Sequence, residues 1–145
     1  MAASDPASNL VRATRRKRPV RIAAQPNPVV FDAARTALIV IDMQNDFCAP
    51  GGWFDSRGID LAAARSVIKP INAMVKGARK AKIPVVWLNW GVRPDRLNLP
   101  HGVLRTGAYG ARLPSGKGPV LERGSWGARI VAELDARKTD IHVDK

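Results

Sequence analysis

Residues 36–42 read Thr-Ala-Leu-Ile-Val-Ile-Asp, an apolar and largely β-branched run that shows no polar alternation before its final aspartate. Such a run is typical of a strand buried on both faces of a parallel sheet, because a half-exposed strand alternates apolar and polar residues. A second run of the same kind, Pro84–Asn89 (PVVWLN), follows later in the chain. The two runs predict adjacent strands, Thr36–Asp42 and Pro84–Asn89, each buried on both faces.

The segment between these runs, Asp60–Lys82, predicts a helix. Its apolar residues recur at three- and four-residue steps and therefore share one helical face, whereas most of its lysines and arginines fall on the other. Pro70 is tolerated in the first turn of a helix and not in its interior, so we expect a short turn followed by a main helix. The apolar positions are Leu61, Ala64, Ile68, Ile71, Val75 and Ala78.

The remainder of the chain predicts one long irregular region, a second helix and a third strand. Residues 91–124 contain glycine and proline throughout, which is typical of binding loops. Ser125 is expected to cap a short helix over Trp126–Leu134, and Asp140–Lys145 opens the third strand. Alternating strands and helices predict the α/β class, a parallel sheet with helices on both faces in three layers. Since such sheets usually have more strands, the chain looks like the N-terminal fragment of a domain that is incomplete at its C-terminus.

The N-terminal residues differ from the rest in charge. Residues 1–25 carry six basic side chains against Asp5, a net charge of +5 out of +12 for the chain. Pro19, Pro26 and Pro28 disfavour regular structure, so we divide the chain into a largely disordered basic arm, 1–30, and a domain, 31–145. A basic arm attracts nucleic acid by releasing counterions. It contains no interleaved aromatic residues and no recognised motif, which argues against nucleic acid as the partner.

Composition indicates the cellular compartment in which the protein is found. No apolar run approaches the roughly 20 residues of a membrane helix, and no apolar stretch follows the N-terminal charges as a secretory signal requires. The single cysteine, Cys48, excludes an internal disulfide. These features predict a soluble cytoplasmic protein without a membrane partner.

Polar residues follow each of the three predicted strands. In open parallel sheets, binding and catalytic residues lie at the carboxyl ends of the strands. Asp42 ends the first strand, Asn89 and Trp90 end the second, and Lys145 ends the third. A carboxylate at the end of an apolar strand is costly to bury unless it is paired, so Asp42 and Lys145 are expected to form an ion pair. Asn89, Trp90 and Phe47 are the candidate substrate-binding residues.

The stretch Ala37-Leu-Ile-Val-Ile-Asp-Met-Gln-Asn-Asp-Phe47, followed by Pro50-Gly51-Gly52, closely resembles the opening motif of the isochorismatase-like cysteine hydrolases. The similarity continues through residues 83–86 and 124–126 and ends at Asp140–Lys145, so that it covers residues 31–145. Within this superfamily the chain is similar to the ureidoacrylate amidohydrolases of pyrimidine breakdown and to the biuret and N-carbamoylsarcosine hydrolases.

This resemblance implies a catalytic triad of aspartate, lysine and cysteine that cleaves a C–N bond of a small amide or ureido substrate through a thioacyl intermediate. Asp42 matches the aspartate and Lys145 the lysine. The family's cysteine follows a further strand, and no residue here matches it, so the nucleophile is expected beyond Lys145 and the fragment itself to be inactive. Cys48 lies in a Pro-Gly loop with no helix N-terminus to lower the pKa of its thiol, and a structural role is expected for it.

The same resemblance separates subfamilies. Nicotinamidases carry an Asp-x-His metal motif after the second strand, and residues 89–95 contain no such pattern, so no metal and no cofactor are expected. The family resemblance also implies a homo-oligomer. Two alternatives remain open, namely an isochorismatase-type hydrolase and a non-catalytic basic binding protein on the same fold.

Overall fold

The computed structural model describes residues 17–145. The described residues up to Thr36 and the residues Ala37–Lys145 form two compact units. The part of the predicted disordered arm that precedes residue 17 lies outside the described residues.

The first unit is a β-hairpin. Strand β1 (Pro19–Ile22) pairs antiparallel with β2 (Val29–Asp32), with Pro19 opposite Asp32 and Ile22 opposite Val29. A 3-10 turn, Ala33–Arg35, follows β2. The expectation that the arm up to residue 30 lacks regular structure is therefore wrong for Pro19–Ile22 and for the start of β2. Pro19 is the first residue of a strand, where its missing N–H is tolerated, and the other two prolines lie in the connection between the strands.

The second unit contains a three-stranded parallel sheet. The strands are β3 (Leu38–Ile41), β4 (Val85–Asn89) and β5 (Ile141–Asp144), in the spatial order β3-β4-β5. Ile41 pairs with Leu88, and Leu88 with Val143. The predicted α/β class and the parallel pairing of the first two strands are confirmed. Each observed strand is one to three residues shorter than the predicted run.

Helices cover one face of this sheet. The short α3 (Ala62–Ser66) precedes α4 (Ile68–Lys80), which holds Pro70 in its first turn as predicted. Val75 of α4 is fully buried and packs in one apolar cluster with Val40, Val85 and Trp87 of the strands. The alternate strand residues differ, because Ile39 is 54% exposed and Ile141 50%. The predicted burial of the strands on both faces is thus wrong for the described residues, which leave one face partly exposed.

Three further helices are single turns: α1 (Asn45–Cys48), α2 (Trp53–Ser56) and α5 (His101–Leu104). Residues 91–124 are irregular, as predicted, but they enclose a second apolar core formed by Val92, Leu99, Leu113, Val120 and Leu121. Within residues 17–145, no helix combines the length and apolar character needed to cross a membrane.

The predicted helix Trp126–Leu134 is wrong. Ser125 does accept a hydrogen bond from the Ala128 N–H at 3.3 Å, as a capping serine would. However, the backbone carbonyls of residues 126–129 accept hydrogen bonds from the segment Gln44–Asp46. Because those carbonyls are already occupied by a distant segment, the chain forms turns instead of a helical ladder.

One carboxylate links α4 and β4 to the start of β5. Asp140 Oδ2 accepts hydrogen bonds from Arg79 Nη2 at 2.6 Å, Trp87 Nε1 at 2.9 Å and Arg137 N at 2.9 Å. Its side chain is only 8% exposed. Burial by itself raises the pKa of Asp140, but the indole, the backbone N–H and the guanidinium outweigh it, so the pKa lies below the ordinary value of 3.8.

We expect Asp140→Asn to lower the free energy of unfolding by about 3 kcal/mol near neutral pH, because it breaks a buried ion pair. A carboxylate whose pKa is depressed in the folded protein stabilises the fold at pH values above its unfolded pKa. This stabilisation is lost as the pH falls through its folded pKa. The gap between wild type and variant should therefore shrink below pH 3.8. Urea unfolding across this range, with exposed Asp60→Asn as control, measures the gap. A gap that does not depend on pH would contradict the prediction.

Candidate active site

An ion pair lies at the carboxyl edge of the parallel sheet. Strands β3 and β5 end one residue before Asp42 and Lys145, so both side chains emerge at the same edge. Lys145 Nζ donates to Asp42 Oδ2 at 2.8 Å, and the two side chains are 43% and 30% exposed. A pair this exposed contributes at most about 1 kcal/mol to stability. It is open to a ligand from solvent.

Asp42 adopts a strained backbone conformation. Its φ of 57° lies in the left-handed region that non-glycine residues rarely occupy. Its N–H donates to the Leu88 carbonyl at 3.0 Å, so the strained residue is the one that makes the last hydrogen bond between β3 and β4. Its second carboxylate oxygen, Oδ1, is buried and accepts no hydrogen bond from any residue in 17–145. Strain and an unsatisfied acceptor at one residue are typical of a functional site.

Trp90 borders the pair, and its backbone is held by a buried glutamine. Gln44 Oε1 accepts from Trp90 N at 2.8 Å, and Gln44 Nε2 donates to Trp90 O at 2.8 Å. The indole ring stacks on Tyr109 with centroids 4.9 Å apart, and Lys145 Nζ lies 5.7 Å from its centroid. The site therefore has an aromatic wall beside its cation.

Sequence reasoning placed Trp90 at this edge but missed Gln44 and Tyr109. A glutamine three residues after the end of an apolar strand was the one signal for Gln44, because an amide near the core needs several hydrogen-bond partners. Tyr109 lies in the irregular loop region, and no pattern in the sequence singles it out.

The other two candidate substrate-binding residues lie in different settings. Asn89 ends β4, and its carbonyl accepts from Lys145 N at 2.9 Å, so its backbone belongs to the site edge. Phe47 packs in an aromatic cluster, with its ring 5.0 Å from Phe54 and 6.3 Å from Trp53. No described contact joins Phe47 to Asp42 or Lys145. A substrate-binding role stays a prediction for both.

Asp46 joins the loops that surround the site. It is fully buried, and its carboxylate accepts from Trp53 N at 3.1 Å and from Leu121 N at 2.6 Å. A Cβ atom at Gly127 would overlap this carboxylate, so that position requires glycine. Burial raises the pKa of Asp46 by more than the two N–H donors lower it. Asp46 thus fixes α2, Leu121 and the turn at Gly127 around one carboxylate.

Cys48 is a buried residue of α1, 2% exposed. Its carbonyl accepts from Arg65 Nη1 at 2.8 Å, and burial raises the pKa of its thiol. A protonated, inaccessible thiol is a poor nucleophile.

The described residues hold no metal-ligand cluster of three or more histidine, cysteine, aspartate or glutamate side chains. The ring of His142 lies 2.9 Å from the Arg137 carbonyl, and His101 begins α5. Neither histidine approaches the ion pair through any described contact.

Comparison with known proteins gives consistent results. The family model "Isochorismatase domain" matches residues 36–145. A ureidoacrylate amidohydrolase of Methylorubrum extorquens is 36% identical over 132 residues, covering 87% of this chain and 53% of its own length. A second one, from Stutzerimonas stutzeri, is 32% identical over 140 residues, covering 88% and 54%. The chain spans about half the length of the curated relatives it matches.

Solved structures show the same similarity. A cysteine hydrolase from Pseudomonas syringae has a TM-score of 0.62 and 25% identity, with 79% of this chain and 48% of that chain covered. An isochorismatase family protein from Desulfovibrio vulgaris has a TM-score of 0.57 and 25% identity, with 76% and 52% covered.

We expect Asp46→Asn to destabilise the protein by about 1–2 kcal/mol, because an amide nitrogen cannot accept the N–H of Trp53 or Leu121. The pKa of Asp46 is higher in the folded protein than its ordinary value of 3.8. Asp46 therefore stabilises the fold fully below pH 3.8, and this stabilisation declines as the pH rises through the folded pKa. The gap should therefore be widest at acidic pH. Denaturant unfolding at several pH values measures it, with exposed Asp55→Asn as control. Equal losses in the two variants would contradict the prediction.

Proposed function

The chain belongs to the isochorismatase family, and on that premise we propose that it supplies the base and the cation of a cysteine amidohydrolase. The reaction is hydrolysis of a C–N bond in a small ureido or carbamoyl amide. The observation that carries the proposal is the Asp42–Lys145 pair, 2.8 Å apart at the carboxyl edge of the sheet, with Asp42 Oδ1 left without a partner in residues 17–145.

The chemistry follows from the carboxylate of Asp42. Lys145 Nζ holds this carboxylate at the carboxyl edge of the sheet, and the carboxylate would accept the proton of a thiol. The thiolate attacks the amide or ureido carbonyl, and the ammonium of Lys145 stabilises the negative charge that develops there. The proton on Asp42 passes to the departing amine as the C–N bond breaks. Water then hydrolyses the thioester with Asp42 again as base, which restores the thiol.

The nucleophilic cysteine in this proposal lies outside residues 1–145. Cys48 is the one cysteine of the chain, and it is buried with a raised thiol pKa. The ion pair suits a site that a further element completes, because its charged side chains are partly exposed to a third group. The left-handed backbone of Asp42 is strain of the kind that functional sites retain.

The ureido substrate class is supported by the aromatic wall and by the relatives. Trp90 stacked on Tyr109 offers a flat apolar surface beside Lys145, which suits a planar conjugated amide. The relatives from Methylorubrum extorquens and Stutzerimonas stutzeri are named ureidoacrylate amidohydrolases. We assign Trp90 and Asn89 to the wall of the substrate site and Phe47 to its aromatic support.

Two further parts of the proposal concern the cellular compartment and the oligomeric state. A free cysteine nucleophile needs a reducing compartment, so we place the enzyme in the cytoplasm with its substrates among the products of pyrimidine breakdown. We also propose that the protein forms a homo-oligomer, which is what its resemblance to the family implies.

The test uses residues 1–145 joined to the region of the Methylorubrum extorquens enzyme that the match leaves uncovered. We expect this chain to hydrolyse ureidoacrylate, biuret or an N-carbamoyl amino acid. Asp42→Asn should lower kcat about a thousandfold with little change in substrate binding, because it removes the base alone. Cys48→Ser should retain activity.

Residues 1–145 by themselves should show no turnover. Turnover by this chain that disappears in Cys48→Ser would make Cys48 the nucleophile and overturn the proposal. Near-normal activity of Asp42→Asn in the joined chain would exclude Asp42 as base. Cleavage of isochorismate in place of all three C–N substrates would favour the isochorismatase-type reaction.

A further inference from the structure

A cavity lies between α2 and the loop residues 106–120. It encloses about 240 Å³. We name it the arginine pocket, after the two arginines among the residues that line it: Trp53, Ser56, Arg57, Thr106, Arg112 and Leu113.

The charge of the arginine pocket is unbalanced. No aspartate or glutamate lines it. The side chains of Arg57 and Arg112 are exposed and form no ion pair with any residue in 17–145, whereas Arg65 and Arg79 each bind a carboxylate at 2.6 Å. Two like charges that share a cavity of this size repel one another, and an anion between them removes the repulsion.

Ser56 and Thr106 supply the hydroxyl groups among the lining residues. The Ser56 hydroxyl donates to the Trp53 carbonyl at 2.7 Å, and the Thr106 hydroxyl donates to the Val103 carbonyl at 2.7 Å. Both hydroxyl protons are therefore used inside the protein. Guanidinium forks bind the oxygens of carboxylate and phosphate in pairs, which matches a ligand with several anionic oxygens.

The apolar floor of the pocket is held in place. Trp53 donates its backbone N–H to the buried Asp46 at 3.1 Å, and its ring packs on Tyr109 with centroids 5.3 Å apart. Val120 and Leu113 are almost completely buried. The Val120 N–H and carbonyl bond Ala111 O at 2.8 Å and Gly110 N at 3.0 Å. Because this floor is already ordered, binding of a ligand costs little conformational entropy.

We propose that the arginine pocket binds a small dianion joined to a flat apolar group, either a phosphomonoester or a dicarboxylate. The anionic end lies between Arg57 and Arg112, and the apolar end lies against the Trp53 ring. The cavity is smaller than the usual 300–1,000 Å³ of drug-sized sites, which suits a ligand of about a dozen non-hydrogen atoms. The rings of Trp53, Tyr109 and Trp90 lie in sequence between this pocket and Lys145. The site is therefore separate from the ion pair and does not depend on the amidohydrolase proposal.

The experiment titrates phenyl phosphate and phthalate into the purified 145-residue chain by calorimetry, and follows the assigned Trp53 indole N–H by NMR. We expect binding of one molecule per chain and a shift of the Trp53 signal with at least one of the two probes. Binding of phenyl phosphate alone identifies a phosphomonoester site, and binding of phthalate alone a dicarboxylate site. Phenol, which lacks the charge, should not bind.

Arg57→Gln and Arg112→Gln should each weaken binding about tenfold or more, because each removes a charged fork to the anion. Arg105→Gln is the matched control, since Arg105 is an exposed arginine of the same loop region that does not line the pocket. An equal loss in the control would show attraction to overall charge and overturn the proposal. Absence of binding by both probes, or binding without a Trp53 shift, would overturn it as well, and the NMR readout does not depend on the variants.

Discussion

Buried polar groups in the segment that follows β3 determine how the second unit is arranged. Gln44, Asn45 and Asp46 are all nearly or fully buried, and a buried amide or carboxylate without partners costs several kcal/mol. Their partners are backbone groups of Trp53, Trp90, Leu121 and the turns at 126–129. One short segment thus holds three loop regions to the sheet edge. The bond from Leu121 N to Asp46 ties the second apolar core of residues 91–124 to the same segment.

The candidate site follows from this arrangement. Gln44 holds the backbone of Trp90 on both sides, which leaves the indole ring free to stack on Tyr109 and to approach Lys145. Asp42 precedes the segment in a left-handed conformation and directs one oxygen to Lys145. The exposed ion pair adds little stability. A strained residue with a weak pair and an unsatisfied acceptor is better explained by chemistry than by folding.

The sheet shows how topology brings distant residues together. Parallel strands share a carboxyl edge, so residues one position beyond β3 and β5 meet although they lie 103 positions apart in the chain. Within residues 17–145, the interior of the sheet is formed on the face where α4 packs Val75 against Val85 and Trp87. Asp140 adds a polar link, because it bonds both Arg79 and Trp87 at the start of β5.

The sequence by itself determined the elements whose signals are local. Apolar continuity located β3 and β4, the position of Pro70 located the start of α4, and strand order placed Asp42 and Lys145 at one edge. The tertiary structure decided the rest. Ser125 carried a valid capping signal, yet Gln44–Asp46 occupy the carbonyls that a helix over Trp126–Leu134 would need. The hairpin of residues 19–32, the bracket that Gln44 forms around Trp90 and the stacking of Tyr109 also depend on contacts between separated segments. The periodicity of apolar residues indicates which backbone groups bond to near neighbours in the chain and which face of a helix or strand is apolar. The partner of a buried polar group far along the chain is set only when the folded backbone brings the two together.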